Sequence, residues 1–297
     1  MKINRKIQNF GLIIAASLAL IGFIVGCFLD QKITGKMGDS HNLFGILLTA
    51  FGPVLTLAFG VFAGALLCFM PTIQNKTWNI IFRVIGAVAV GGFAFSQIKE
   101  GIDYVDFPRM QAEKNTWVAL IIAFIVLLDL AIVLFSKIWV KKMDQEVLIS
   151  ICLMIISIIL IYFVAGEIVK YLASRPRPRV LDQGRLYFKN WYEWKPLAAL
   201  LSSEYKDCKS FVSGHAANAG CLITILPLVS ALPKQKNDIR IQIGTIVIGT
   251  LFVFVVAFSR IVARAHWMTD VMGGIILSCG IQALVINLTP TILKKLQ

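Results

Sequence analysis

Long apolar blocks alternate with short polar connectors along the whole chain. A helix needs roughly 20 apolar residues to cross a bilayer core, and blocks of that length give eight candidate spans: 10–29, 43–70, 78–98, 117–140, 148–170, 215–232, 243–262 and 269–288. None of them shows the two-residue alternation of a strand, and in lipid only helices or closed barrels satisfy the backbone. The expected fold is therefore all-α, a polytopic transmembrane helical bundle. The second block is long enough to tilt or to carry an extra turn at the interface. No internal repeat or low-complexity tract interrupts the pattern.

Composition agrees with this reading. Of 297 residues, 58% are hydrophobic and 15% charged, where a typical globular domain carries about 25% charged residues. Mean hydropathy is +0.78. Lys and Arg in short connections mark the cytoplasmic side. The start "MKINRKIQN" carries Lys2, Arg5 and Lys6 and no acid, so the N-terminus is expected inside, and eight spans then bring "LKKLQ" inside as well. "KKMDQEV" and "PKQKNDIR" fit inner loops, and the acid-rich "KEGIDYVDFPRMQAEKNT" fits an outer one. Segment 174–213 breaks the rule, being strongly basic yet expected outside.

The net charge of +13 lies largely in cytoplasmic anchors and in this one outer loop. Anionic headgroups or a phosphorylated substrate account for it better than nucleic acid does. Five of the six cysteines (Cys27, Cys68, Cys152, Cys221, Cys279) fall in spans and Cys208 in the loop, so no disulfide framework is implied. "LIGFIVGC" has the look of a lipoprotein cleavage site, but a first transmembrane helix explains the same residues.

Three polar pieces converge on one side of this topology. Span five runs outward into "GEIVKYLASRPRPRV", span six starts at the outer face with "SFVSGH", and span seven runs outward to "SRIVARAH", just before "HWMTD" opens span eight. Several fixed cations beside the free amides of a helix start make an anion site, most naturally for phosphate. Ser213 and Gly214 stand at such a start. His266 and Asp270 are four residues apart and so share a helix face. A carboxylate there can keep one imidazole nitrogen protonated and the other free to attack. His215 is a second imidazole, able to protonate a leaving oxygen. No Cys/His spacing or carboxylate cluster suggests a metal, and no cofactor is expected.

The order Lys170-x6-Arg177-Pro178, Ser213-Gly214-His215, Ser259-Arg260-x5-His266-x3-Asp270 resembles the signature of the type 2 phosphatidic acid phosphatase superfamily, a family of metal-independent membrane lipid phosphatases. The resemblance implies His266 as nucleophile, Asp270 as its orienting partner, and His215 as acid and later base. It implies Lys170, Arg177, Ser213, Gly214 and Arg260 as the phosphate grip. It also implies a six-helix core over residues 73–297, with residues 1–72 as an N-terminal segment with two added helices of unindicated role. Val212 stands where the family usually has proline.

The expectation is a bacterial plasma-membrane enzyme that hydrolyses a lipid phosphate or pyrophosphate at the extracytoplasmic face. Undecaprenyl pyrophosphate, phosphatidylglycerophosphate and phosphatidic acid all stay open as substrates. A lipid phosphotransferase of the same superfamily, a vanadium haloperoxidase and a non-enzymatic transporter are the rival readings. Outside the motifs, Arg175, Arg179 and Arg264 fit snorkelling or lipid contact, and His41 fits a solvated loop. Glu167 is expected to pair with Lys170 at i,i+3, while Asp129 has no assigned partner. The aromatics of "RLYFKNWYEWKP" fit a segment lying on the outer leaflet, with Trp191 and Trp194 as its lipid contacts.

Overall fold

The computed structural model describes residues 4–39, 41–70, 76–103, 113–140, 145–181, 184, 186–194, 207–225 and 239–296. Among these the chain is helical, without strands, and seven helices are long and apolar enough to cross a membrane. They are α1 (Arg5–Met37), α2 (Leu43–Phe69), α3 (Lys76–Asp103), α4 (Lys114–Trp139), α5 (Gln145–Phe163, continued to Ala173), α7 (Ile239–Val262) and α8 (Met268–Leu296). The short α6 (Gly214–Gly220) opens the sixth expected span and the chain is helical again at 222–225. The remainder of that span lies outside the described residues. The chain is an all-α, multi-pass membrane bundle.

Helix boundaries follow from local chemistry. Asn4 caps α1 by accepting from the Ile7 amide, and Asn42 caps α2 by accepting from the Gly45 amide at 3.3 Å. Helix α5 widens to π geometry over Val164–Val169, then makes a last α turn over Lys170–Ala173. Such a widening changes the residue count per turn and re-aims the side chains beyond it, here Lys170. Ser174 then takes a left-handed conformation (φ 39°) and returns its N–H to the Lys170 carbonyl at 3.1 Å. Pro176 and Pro178 cannot extend a helix, so the chain leaves α5 there.

Helix α2 forms the middle of the bundle. Its most apolar window is 71% buried, against 22% for α1 and 17% each for α3 and α4. It packs on α3, α4, α5, α6 and α7, while α1 lies along α8 and α7. Leu57, Val61 and Leu66 of α2 meet Ile158 and Ile161 of α5, Val253 of α7 and Ile275 of α8 in one apolar core. Outward faces carry exposed Phe28, Val88, Leu127 and Phe135, as lipid contact requires. Asp129, unassigned from the sequence, accepts from Gln97 Nε2 across α3 and α4 at 3.0 Å. The described part of 174–213 lies over the end of the bundle where α5 stops and α6 and α8 begin.

Candidate active site

The C-terminal ends of α5 and α7 and the N-terminal ends of α6 and α8 meet at one end of the bundle, as the topology required. The α1–α2 connector closes over the same end, with the Asp39 amide bonded to the Val262 carbonyl at 2.7 Å. His41 is exposed on that connector. All eight residues singled out as catalytic or phosphate-gripping are brought together here.

His266 sits in the short turn between α7 and α8 and is 1% exposed. Its Nδ1 lies 2.8 Å from the Ser210 carbonyl oxygen. A carbonyl only accepts, so Nδ1 carries the proton and Nε2 keeps its lone pair. Burial, and then Arg260, Arg177 and Lys170, push this imidazole well below its ordinary value of 6.5, and the Ser210 carbonyl opposes them more weakly. The result at neutral pH is an uncharged nitrogen base with its tautomer fixed, next to three cations.

Asp270 holds this arrangement from one step away. Its Oδ2 is 3.7 Å from His266 Nδ1, beyond a good hydrogen bond. The same oxygen accepts from the Ser210 hydroxyl and from the Trp267 amide at 2.8 Å. Asp270 therefore orients His266 through Ser210 and the turn before α8, a correction to the direct contact expected from the i,i+4 spacing. The signal that could have found Ser210 was its place at the head of "SFVSGH", three residues before the cap Ser213.

The motif cations Lys170, Arg177 and Arg260 gather beside His266. A methyl group built on Gly214 would approach Lys170 Nζ to 3.2 Å, so the helix start and the ammonium face each other at close range. Glu100 of α3 interacts electrostatically with the same lysine. The Arg177 amide is tied to the Asp207 carbonyl at 2.9 Å, while its buried Nε has no hydrogen-bond partner among the described residues. A buried guanidinium donor left open in this way suits an oxyanion ligand. Arg260 is completely buried, and its Nη1 bonds to the Thr49 hydroxyl of α2. Ser213 caps α6 toward the Ala216 amide, and its own amide reaches the Asp270 carbonyl at 2.9 Å. His215 is buried with Nε2 3.1 Å from the Thr49 carbonyl. Val212 is buried, packed toward Gly273 of α8.

Arg175 corrects another expectation. It does not snorkel: it is 1% exposed. Its Nη1 donates to Asp270 Oδ1 and to Thr269 Oγ1, both at 2.6 Å, and its Nη2 to Asp30 Oδ2 of α1 at 2.9 Å. The Phe188 and Trp267 rings flank its guanidinium at 5.4 Å each. Asp30 also accepts from the Thr269 amide at 3.0 Å and from its hydroxyl. Close approach of α1 makes this reach possible: a methyl on Gly26 would come within 2.9 Å of Thr269 Cγ2. Asp30, Thr49, Arg175 and Ser210 were thus missed as site residues.

In the aromatic loop, Trp191 packs against Phe23 of α1 at 5.0 Å and stacks on Phe211 at 5.9 Å. Phe188 packs on Trp267. The exposed aromatics are Tyr187, Tyr192 and Trp194, so Trp191 supports the loop rather than facing lipid. The Glu167 side chain, expected beside Lys170, lies outside the described residues.

Fold and site together define a multi-pass membrane protein that gathers an uncharged imidazole and the cations Lys170, Arg177 and Arg260 at one end of the bundle. The family model of the PAP2 superfamily matches residues 147–294, and the chain belongs to that superfamily. The matched stretch contains every motif residue from Lys170 to Asp270 and all but the outermost two residues at each end of the α5 to α8 region, and membership supports a phosphatase-type function on lipid phosphates. No curated protein and no solved structure matches the chain.

Proposed function

We propose that the protein removes phosphate from a lipid phosphate or pyrophosphate at the extracytoplasmic face of a plasma membrane, through a phosphohistidine. The observation that carries this reading is the fixed tautomer of His266: Nδ1 is committed to the Ser210 carbonyl, leaving Nε2 as a nucleophile beside Lys170, Arg177 and Arg260. In the first step Nε2 forms a bond to phosphorus and the bond to the leaving oxygen breaks. His215 gives that oxygen its proton. In the second, water attacks phosphorus, His215 takes the proton from water, the N–P bond breaks and inorganic phosphate leaves. A phosphate monoester carries about −1.5 to −2 charges at pH 7, and the cations neutralise it as charge builds on the equatorial oxygens.

The apolar bundle suits a substrate whose tail stays in the membrane. The positive-inside pattern of the loops favours cytoplasmic termini and an outward-facing site. Phosphate release by purified protein in EDTA, from undecaprenyl pyrophosphate, phosphatidylglycerophosphate and phosphatidic acid, tests the reading. Release abolished by His266→Ala is expected, and the preferred lipid names the role. Release unchanged in His266→Ala contradicts the phosphohistidine, and silence across the panel from folded wild-type protein contradicts hydrolysis.

A further inference from the structure

Helix α2 precedes the family-matched stretch 147–294, yet one of its residues touches two side chains of the site. The Thr49 carbonyl accepts from His215 Nε2 at 3.1 Å, and the Thr49 hydroxyl bonds to Arg260 Nη1. Thr49 is 0% exposed. In a regular helix the carbonyl of residue 49 would accept the amide N–H of residue 53. Residue 53 is proline, inside α2. It has no N–H to give, and its ring pushes aside the carbonyl four residues earlier. A buried carbonyl without a donor is costly. Here the donor that reaches it is the His215 imidazole.

The consequence for proton transfer is specific. A carbonyl oxygen can only accept, so the His215 proton on that side is fixed on Nε2. To act as an acid the imidazole must take up a second proton, and that proton, the one delivered to a leaving oxygen, sits on Nδ1. The same residue's hydroxyl sets the direction of the Arg260 guanidinium. We propose that Thr49 is a positioning residue for both the general acid and the phosphate-gripping arginine, and that Pro53 serves the site by keeping the Thr49 carbonyl available. This rests on the phosphatase reading above, with His215 as the acid.

The test compares two substrates that differ in how much they need an acid. A short-chain phosphatidate expels an alkoxide, which must be protonated as it leaves. p-Nitrophenyl phosphate expels a stabilised phenolate, which leaves without a proton. Pro53→Ala returns an N–H to the Thr49 carbonyl and is a favourable helix residue. General acid catalysis contributes about 10²–10⁴-fold; partial misplacement of the acid should cost about tenfold in kcat on the phosphatidate and less than about threefold on p-nitrophenyl phosphate. Thr49→Val should raise KM for both substrates, by about fivefold, for loss of one oriented hydrogen bond to a charged group. Thr49→Ser should restore it.

Equal losses of kcat on the two substrates in Pro53→Ala would overturn the acid-positioning role, since a general structural defect has no reason to sense the leaving group. A wild-type KM in Thr49→Val, or no rescue by Thr49→Ser, would overturn the arginine-positioning role. The Thr49 pair carries the test if Pro53→Ala does not fold. If wild-type protein is active, His266→Ala is dead and both helix α2 variants behave as wild type, the Thr49 assignment falls while the phosphohistidine stands. If wild type releases phosphate from neither substrate, the two fall together.

Discussion

Asp30 and Asp129 both lie within apolar helices of this bundle, and the molecule holds them in different ways. Asp30, late in α1, shares the Arg175 guanidinium with Asp270 and accepts from both the amide and the hydroxyl of Thr269. Asp129, in α4, accepts from the neutral amide of Gln97. A carboxylate at membrane depth is costly and needs a partner. The partners differ in what they do: Arg175 and Thr269 frame the turn that carries His266, whereas Gln97 joins α3 to α4. Depth alone therefore does not mark a functional acid. The chemistry across from it does.

The largest effect in this comparison should come from Arg175→Met. Removing the guanidinium that bridges Asp30 and Asp270 leaves these two buried carboxylates without it, and breaking a buried pair in this way costs about 3–5 kcal/mol. Thermal unfolding in detergent should show a large drop, with phosphate release lost. Wild-type stability would mean that α1 is not tied to the site through this residue. Asp30→Asn should cost less, about 1–3 kcal/mol, because Arg175 keeps Asp270, and it should lower kcat through the displaced turn before α8. Asp129→Asn should stay within about 1 kcal/mol with unchanged kcat. Matched losses in the two variants would erase the distinction drawn here.

The motif pieces were legible because order and spacing alone bring Lys170, Arg177, Ser213, Gly214, His215, Arg260, His266 and Asp270 to one end of the bundle. The partners of those residues were not. Asp30 lies one position beyond the apolar block drawn as 10–29, and nothing local says that α1 runs along α8. Thr49 looks like any threonine in an apolar helix; only Pro53, four residues on, hints that its carbonyl seeks another donor. Arg175 sits among three arginines in "SRPRPR", and spacing cannot say which is buried. The left-handed Ser174 decides that by turning the chain at the end of α5.

The acid side of the pH profile sharpens the contrast further. The folded value of His266 lies below the ordinary 6.5. The unfolded chain therefore takes up the proton first as pH falls, so this residue's contribution to stability is fully present above about 6.5 and is lost below it. Its neutral form likewise persists below that pH. The acid limb of kcat/KM should then have its midpoint under 6.5, and a limb centred at 7 or above would place the imidazole in a far less cationic setting.

The smallest effect is expected at the exposed aromatics. Tyr187→Ser with Trp194→Ser should raise KM for a long-chain lipid phosphate about two- to fivefold by loss of interfacial contact, and leave p-nitrophenyl phosphate unchanged. Trp191→Ser should instead lower stability, since that ring packs between Phe23 and Phe211.

The central claim is that the His266 nitrogen left unprotonated becomes bonded to phosphorus. Rapid quenching of the protein with a ³²P-labelled lipid phosphate, followed by peptide mapping, measures this directly. We expect an acid-labile, base-stable label on the peptide containing His266, absent in His266→Ala and accumulating in His215→Ala with an activated substrate. Rapid turnover with no label on that peptide at any quench time, or label on another residue, would contradict the claim.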